Sequence, residues 1–224
     1  MITIEKTDVY GWEAAIRGMR NPMNSWDKSD SSFGDCDICL TNKDSCIAVN
    51  GEQPCGLLGE NDLKLMKSLS KAGSDHGKFL RMITVTADIT APMYWLREFD
   101  TYKVGTVANS CSTMHKIHAK EFELDDFSVD HLNFGGEVVL LYTIDHLNKC
   151  RKAFLETKDK EWWWQMIQLL PSSYNQKRTV QLNYQVLKAM YHARKNHKLD
   201  EWHTFCEWIE GLPYAELIVG DCNG

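Results

Sequence analysis

From Met82 to Thr90 the chain reads MITVTADIT, with Ile83, Val85, Ala87 and Ile89 alternating strictly with Thr84, Thr86, Asp88 and Thr90. A period of two sets the apolar side chains on one face of a strand and the polar ones on the other. The segment is a half-buried strand, so the chain must build a sheet that is covered on one side and open on the other. A first strand is expected at Ile2 to Tyr10, and the helical signals lie around these two segments.

Those signals begin at Gly11 to Met19, where Trp12, Ala14, Ala15 and Ile16 make a short helix. Asn61 is positioned to cap a second helix carrying Leu63, Leu65, Met66 and Leu69, and Gly73 closes it. Pro92 stands where a helix with Tyr94, Trp95, Leu96 and Phe99 can start. Further helices are read at Glu137 to Lys158, Glu161 to Leu170, Val180 to Lys195 and Leu199 to Ile209. Between them, Thr101 to Ser112 (TYKVGTVANSCS) is polar and rich in small residues, which lets its backbone approach a ligand closely. The stretch at about 21–59 is rich in Asn, Ser, Asp, Gly and Cys, the profile of a long surface loop or insertion. The sum is an α+β chain, an antiparallel sheet with most helices after the strands, read as a single domain over 1–224.

Composition narrows the function classes. With 224 residues, 43% of them hydrophobic, the chain can bury a real core. A net charge of −6 disfavours a binder of nucleic-acid polymers, whose footprint is basic. No apolar run reaches the roughly 20 residues of a membrane helix, and the N-terminus lacks a signal-peptide core, so a cytoplasmic protein off the membrane is expected. Eight cysteines in such a chain read as free thiols, metal ligands or reactive groups rather than disulfides.

Charge is unevenly distributed. No Asp or Glu falls between Glu161 and Asp200, whereas Lys177, Arg178, Lys188, Arg194, Lys195 and Lys198 all do. Two readings stand: a solvated basic face, or a site for an anionic ligand. Leu182, Val186, Ala189 and Ala193 recur at helical spacing as a candidate buried stripe. Asn183 and Arg194, eleven residues apart, then share a face about 16 Å apart at about 1.5 Å per residue, a span that suits a nucleotide or dinucleotide.

Other constellations carry competing readings. Cys36, Cys39, Cys46 and Cys55 place four thiols in one loop, either a tetrahedral zinc clip or unliganded thiols. His115 and His118 are three residues apart, without the carboxylate of an HExxH metal motif. Cys111, with Lys103 and His115 nearby in sequence, is either an activated thiol or a buried inert one. Trp162 to Trp164, Trp202 and Trp208 fit core or interface better than base stacking.

The order of elements resembles the flavin-dependent thymidylate synthases over residues 60 to 210. The resemblance runs from Leu65 to His76 (LMKSLSKAGSDH), through the strand and Ala91-Pro92, to the segment where that family carries RHRxxSxNExSxRY. It closes with Leu170-Pro171, Asn183 and Arg194 at the family's spacings. It implies that family's fold, a homotetramer, and methylation of a pyrimidine nucleotide, dUMP to dTMP. The cofactor implied is FAD, with methylenetetrahydrofolate and NADPH as co-substrates. By position, His76, Asn183, Tyr102, Lys103 and Thr106 fall to the flavin. Asn109, Ser110, Cys111 and Ser112 fall to the substrate, and Arg194 to its ring, where a fixed cation stabilises developing negative charge.

The signature itself departs. Thr101-Tyr102-Lys103 stands for RHR, Thr106 for the first Ser, Ala108-Asn109 for Asn-Glu, Cys111 for the second Ser, Thr113 for the late Arg, and Ile167 for an Arg before the LP pair. Each lost phosphate contact is worth about 1.5–3 kcal/mol, leaving Lys103, Lys177 or Arg178 to substitute. The alternative implied is a nucleotide-binding or interaction protein that kept the fold and lost the chemistry.

Overall fold

The computed structural model describes residues 2–33 and 56–220. β1 (Thr3–Tyr10) turns at Gly11 into α1 (Trp12–Arg20), and two short 3-10 turns lead to β2 (Ser32–Phe33). β3 (Gly56–Leu57), which pairs with β2, precedes α2 (Glu60–Lys71), a 3-10 turn at Gly77–Arg81 and then β4 (Thr84–Pro92). Next come α3 (Met93–Phe99), β5 (Val107–Ser110), α4 (Thr113–Lys116) and two long helices, α5 (Phe134–Thr157) and α6 (Lys160–Leu169). β6 (Asn175–Asn183), α7 (Tyr184–Arg194), α8 (Asp200–Glu210) and α9 (Glu216–Val219) complete the order. The main sheet runs β1-β4-β6-β5 and is antiparallel throughout, with helices packed against it. Cys36, Cys39, Cys46 and Cys55 lie outside the described residues.

The alternating segment behaves as its pattern requires. Ile83, Val85, Ala87 and Ile89 are buried together with Val180 and Leu182 of β6, under Trp95, Phe99, Leu187, Trp202 and Phe205 from the helices. The other face is open. In register across it lie Thr84 with Asn183, Thr86 with Gln181, Asp88 with Thr179 and Thr90 with Lys177, and β5 adds Val107 opposite Gln181 and Asn109 opposite Thr179. A second hydrophobic cluster joins α5 and α6 through Leu140, Ile144, Leu147, Cys150 and Met166, with Ile117, Phe122 and Phe127 against them.

Three elements differ from the sequence reading. The helix expected over Val180 to Lys195 is strand up to Asn183 and helix beyond it, because nine consecutive residues pair with β4 from Thr84–Asn183 to Pro92–Asn175. The buried stripe shifts accordingly. Ala189 and Ala193 are exposed, and Tyr184, Leu187, Lys188 and Met190 face inward. Within the polar segment Thr101 to Ser112, Val107 to Ser110 form β5 along the sheet's edge. Asn61 does not cap α2. The N-terminal amides of Asn61 and Asp62 are instead accepted by the Asp30 carboxylate, at 2.9 and 3.1 Å, where a negative charge also suits the helix dipole.

Asp62 anchors this region. Its side chain is fully buried and accepts from Arg20 Nε at 2.6 Å, from the Ser29 and Ser31 hydroxyls at 2.7 Å each, and from the backbone amides of Asp30 and Ser31. Burial alone raises the pKa of such a carboxyl. The Ser31, Ser29 and Arg20 contacts together outweigh it and hold the group below its ordinary value. Arg20 in turn donates to the Ser25 and Lys28 carbonyls, so one buried ion pair ties α1, α2 and the connection between them. Among the described residues no helix is long and apolar enough to cross a membrane.

Removing one partner leaves an uncompensated buried charge. Arg20→Met should therefore destabilise the fold by about 3–5 kcal/mol in urea titration. The sign with pH follows from the lowered carboxyl: Asp62 stabilises fully above its unfolded value of about 4, and the contribution is lost as pH falls through the folded value. Wild-type stability should thus decline below about pH 4 with a component that Arg20→Met lacks.

Candidate functional site

Asn183 ends β6 and caps α7, its Oδ1 accepting from the Val186 amide at 3.0 Å. Eleven residues later Arg194 ends the helix, about 16 Å away along the axis. The loop between α3 and β5 spans that whole length. At one end the Tyr102 hydroxyl accepts from Arg194 Nε at 2.9 Å. At the other, Gly105 adopts φ +79° so close to the helix start that a Cβ there would lie 2.8 Å from Asn183 Nδ2 and 3.0 Å from Val186 Cγ2. Only glycine fits both the backbone and the space. Thr106, next in the chain, has a hydroxyl that is buried without a hydrogen-bond partner. His76 is exposed, just before Gly77, whose Cβ position lies 3.7 Å from Gln185 Oε1 in the first turn of α7. The fold thus brings Gly105 and the adjoining Thr106 to Asn183 at the helix start, with Gly77, next to His76, near Gln185 there, and sets Tyr102 against Arg194 at the far end, Lys103 lying on the loop between.

Arg194 is held on every side. Its Nη1 donates to Glu98 Oε2 at 2.7 Å, and its guanidinium carbon stands 4.8 Å from the Trp202 ring centre and 5.5 Å from that of Tyr102. The same Glu98 oxygen accepts from Trp202 Nε1 at 3.2 Å and lies 3.2 Å from His197 Nε2. Glu98 was not singled out in the sequence reading, and Trp202 was read there only as a core or interface residue. Glu98 sits on α3, nearly a hundred residues from Arg194, and no local pattern joins them.

The cationic window does not survive as a patch in space. Lys177 lies 3.2 Å from Asp88 and 3.5 Å from Glu5, while Arg178 pairs with Asp100 at 2.6 Å. The Asp88 carboxyl is held below its ordinary range, first by the Thr179 hydroxyl and then by Lys177, whose ammonium is raised in return. Lys188 is buried and donates to the Ser70 carbonyl at 2.8 Å and hydroxyl at 2.7 Å, capping the C-terminal turn of α2. Of the three cations expected to replace the missing arginines, Lys177 and Arg178 are thus already paired. Lys103 is exposed and has no ion pair among the described residues.

On β5, Asn109 falls on the open sheet face, and Ser110, opposite Arg178, on the other. Cys111 is exposed rather than buried. Its amide is bound to the Lys177 carbonyl at 2.9 Å and its own carbonyl to Gln176 Nε2 at 2.6 Å. The Ser112 hydroxyl caps α4 by accepting from the His115 amide at 2.9 Å. His115 is exposed, and His118 packs its ring against Phe154 with Nδ1 buried and unpartnered. No group of three or more potential metal ligands assembles among the described residues. Trp202 is a core residue, whereas Trp162 and Trp164 are 38% and 43% exposed, surface rather than core. Ile167 packs against the second cluster.

No family model matches the sequence, and no curated protein matches it. Solved structures do. Two structures of the flavin-dependent thymidylate synthase ThyX from Helicobacter pylori, both with FAD and dUMP, superpose with TM-scores of 0.66, at 17% and 16% identity, each covering 98% of both chains. The fold is that of a flavin-dependent thymidylate synthase. At this identity the likeness extends over the whole chain as architecture, and the resemblance read over 60 to 210 belongs to a fold that includes β1, α1 and α9 as well.

The close approach at Gly105 can be isolated. Gly73 also has a positive φ, +97°, but nothing within 4 Å of its Cβ position. Gly73→Ala should cost only the left-handed backbone term, about 1 kcal/mol. Gly105→Ala should cost measurably more in urea titration, because it also displaces Asn183 and Val186.

Proposed function

We propose that the chain is a divergent flavin-dependent thymidylate synthase-like enzyme that binds FAD and a pyrimidine nucleotide and transfers a one-carbon unit to the base, as in dUMP to dTMP. The observation that carries the reading is the convergence of Tyr102 to Thr106, Asn183 and Arg194 along one helix, within a fold whose Helicobacter pylori counterpart holds FAD and dUMP. The orphaned Thr106 hydroxyl and the exposed Lys103, without an ion pair among the described residues, fit a phosphate-bearing cofactor, supplying a donor and a charge on the loop that runs along α7. His76, Asn183, Tyr102, Lys103 and Thr106 would hold the flavin. Asn109, Ser110, Cys111 and Ser112 would line the nucleotide, with Arg194 at its base. FAD supplies the redox chemistry when bound, with NADPH and methylenetetrahydrofolate as co-substrates. This chain's residues would orient the nucleotide, with the rings of Tyr102 and Trp202 holding the Arg194 guanidinium in place.

A homotetramer belongs to the same reading. Phe134, Val139 and Tyr142 on α5 are 82%, 67% and 74% exposed, an apolar surface of the kind that subunit association covers.

The pairing of Lys177, Arg178 and Arg194 with carboxylates favours a second reading, nucleotide binding without turnover. Two measurements separate these. Purified protein should absorb between about 350 and 500 nm through bound oxidised flavin, and with reductant and methylenetetrahydrofolate it should release tritium from 5-labelled dUMP. Flavin and nucleotide binding without tritium release would establish the second reading; a colourless protein that binds neither would remove both.

A further inference from the structure

The Glu98–Arg194 pair is joined by a single contact, Nη1 to Oε2, and that oxygen is already crowded by Trp202 Nε1 and His197 Nε2. The outer atoms on either side of the contact, Glu98 Oε1 and Arg194 Nη2, form no hydrogen bond among the described residues. Neither is among the buried atoms left without a partner, and the side chains of Arg194 and Glu98 are 19% and 36% exposed. The pair thus sets a carboxylate acceptor and a guanidinium donor side by side, with further hydrogen-bonding capacity on each, against the rings of Trp202 and Tyr102.

The electrostatic consequence is specific to this chain. A lone guanidinium in a partly buried aromatic site attracts an anionic ring, because little solvent screens it. Here the Glu98 carboxylate cancels that charge and would itself repel a negative ring edge. With Glu98 in place the pair suits a neutral edge on which a donor adjoins an acceptor. Uracil carries one in N3–H next to a ring carbonyl, and cytosine carries one in its amino group next to N3.

Resting on the proposed function, we infer that Glu98 is a specificity-determining residue: with Arg194 it reads a neutral donor–acceptor edge of the pyrimidine and excludes the ionised ring. The carboxylate accepts the base N–H and the guanidinium donates to the adjacent acceptor.

Calorimetric titration of wild type and Glu98→Gln with dUMP, dCMP and 5-fluoro-dUMP, all at one pH of about 8.5, tests this. Fluorine acidifies N3, so the fluorinated ring is largely ionised there while the other two are neutral. Wild type should prefer the neutral rings, and the tighter of dUMP and dCMP identifies which edge is read. Glu98→Gln, near-isosteric but uncharged, should bind 5-fluoro-dUMP about tenfold or more tightly than wild type does, with dUMP and dCMP changed less than about threefold. Glu98→Asp keeps the charge and should keep the wild-type preference, a check that does not depend on the glutamine variant folding. Equal affinity of wild type and Glu98→Gln for the ionised ring, or a wild type that prefers it, overturns the inference and leaves the proposed function standing. A wild type that binds no pyrimidine nucleotide overturns both.

Discussion

The antiparallel pairing of β4 with β6 is the constraint on which the rest depends. Nine residues on each strand are in register without interruption. One face of the pair therefore carries Val85, Ala87, Ile89, Val180 and Leu182 into the core, and the other carries a polar row into the open. The same register sets the ends. At Thr84–Asn183 the chain leaves β6 for α7, and at Pro92–Asn175 it leaves β4 for α3. The first-turn amides of α3 are met by the carbonyls of Tyr174 and Ser172, which lead into β6. The helix bearing Glu98 and the helix bearing Arg194 are therefore placed by two ends of one strand pair.

That placement determines the site's charge. Along the sequence the cations of Lys177 to Arg194 have no carboxylate among them; across the sheet and between helices Lys177, Arg178 and Arg194 are answered by Asp88 and Glu5, by Asp100 and by Glu98, while Lys188 is held by the Ser70 carbonyl and hydroxyl. The exposed Lys177–Glu5 pair contributes little stability, but together these pairs change what the site can attract. The partly buried Arg194, walled by Trp202 and Tyr102, is a positioned member of a neutral pair rather than a free cation.

Much of the architecture was legible because it is local. The alternation of Ile83 to Thr90, the first strand up to Tyr10, the start of α3 at Pro92 and the long helices α5 and α6 follow from periodicity and from residues with restricted backbones. Asn183 and Arg194 were legible as a spaced pair, and Asn183 does cap α7. What was hidden is non-local. β6 reads as helix because Val180 to Leu182 carry no strong strand signal of their own and acquire strand form from β4. Asp30 caps a helix thirty residues away, and Glu98 meets Arg194 across almost half the chain. Cys111 reads as a small buried thiol but lies on an edge whose side chains are all exposed.

The central claim is that Glu98 and Arg194 act as one coupled unit fixed by the strand pair. A double-mutant cycle measures this directly: urea unfolding of wild type, Glu98→Ala, Arg194→Ala and the double variant. The account predicts a coupling energy of about 1–2 kcal/mol favouring the pair. Additive single effects, with coupling within about 0.3 kcal/mol of zero, would contradict it.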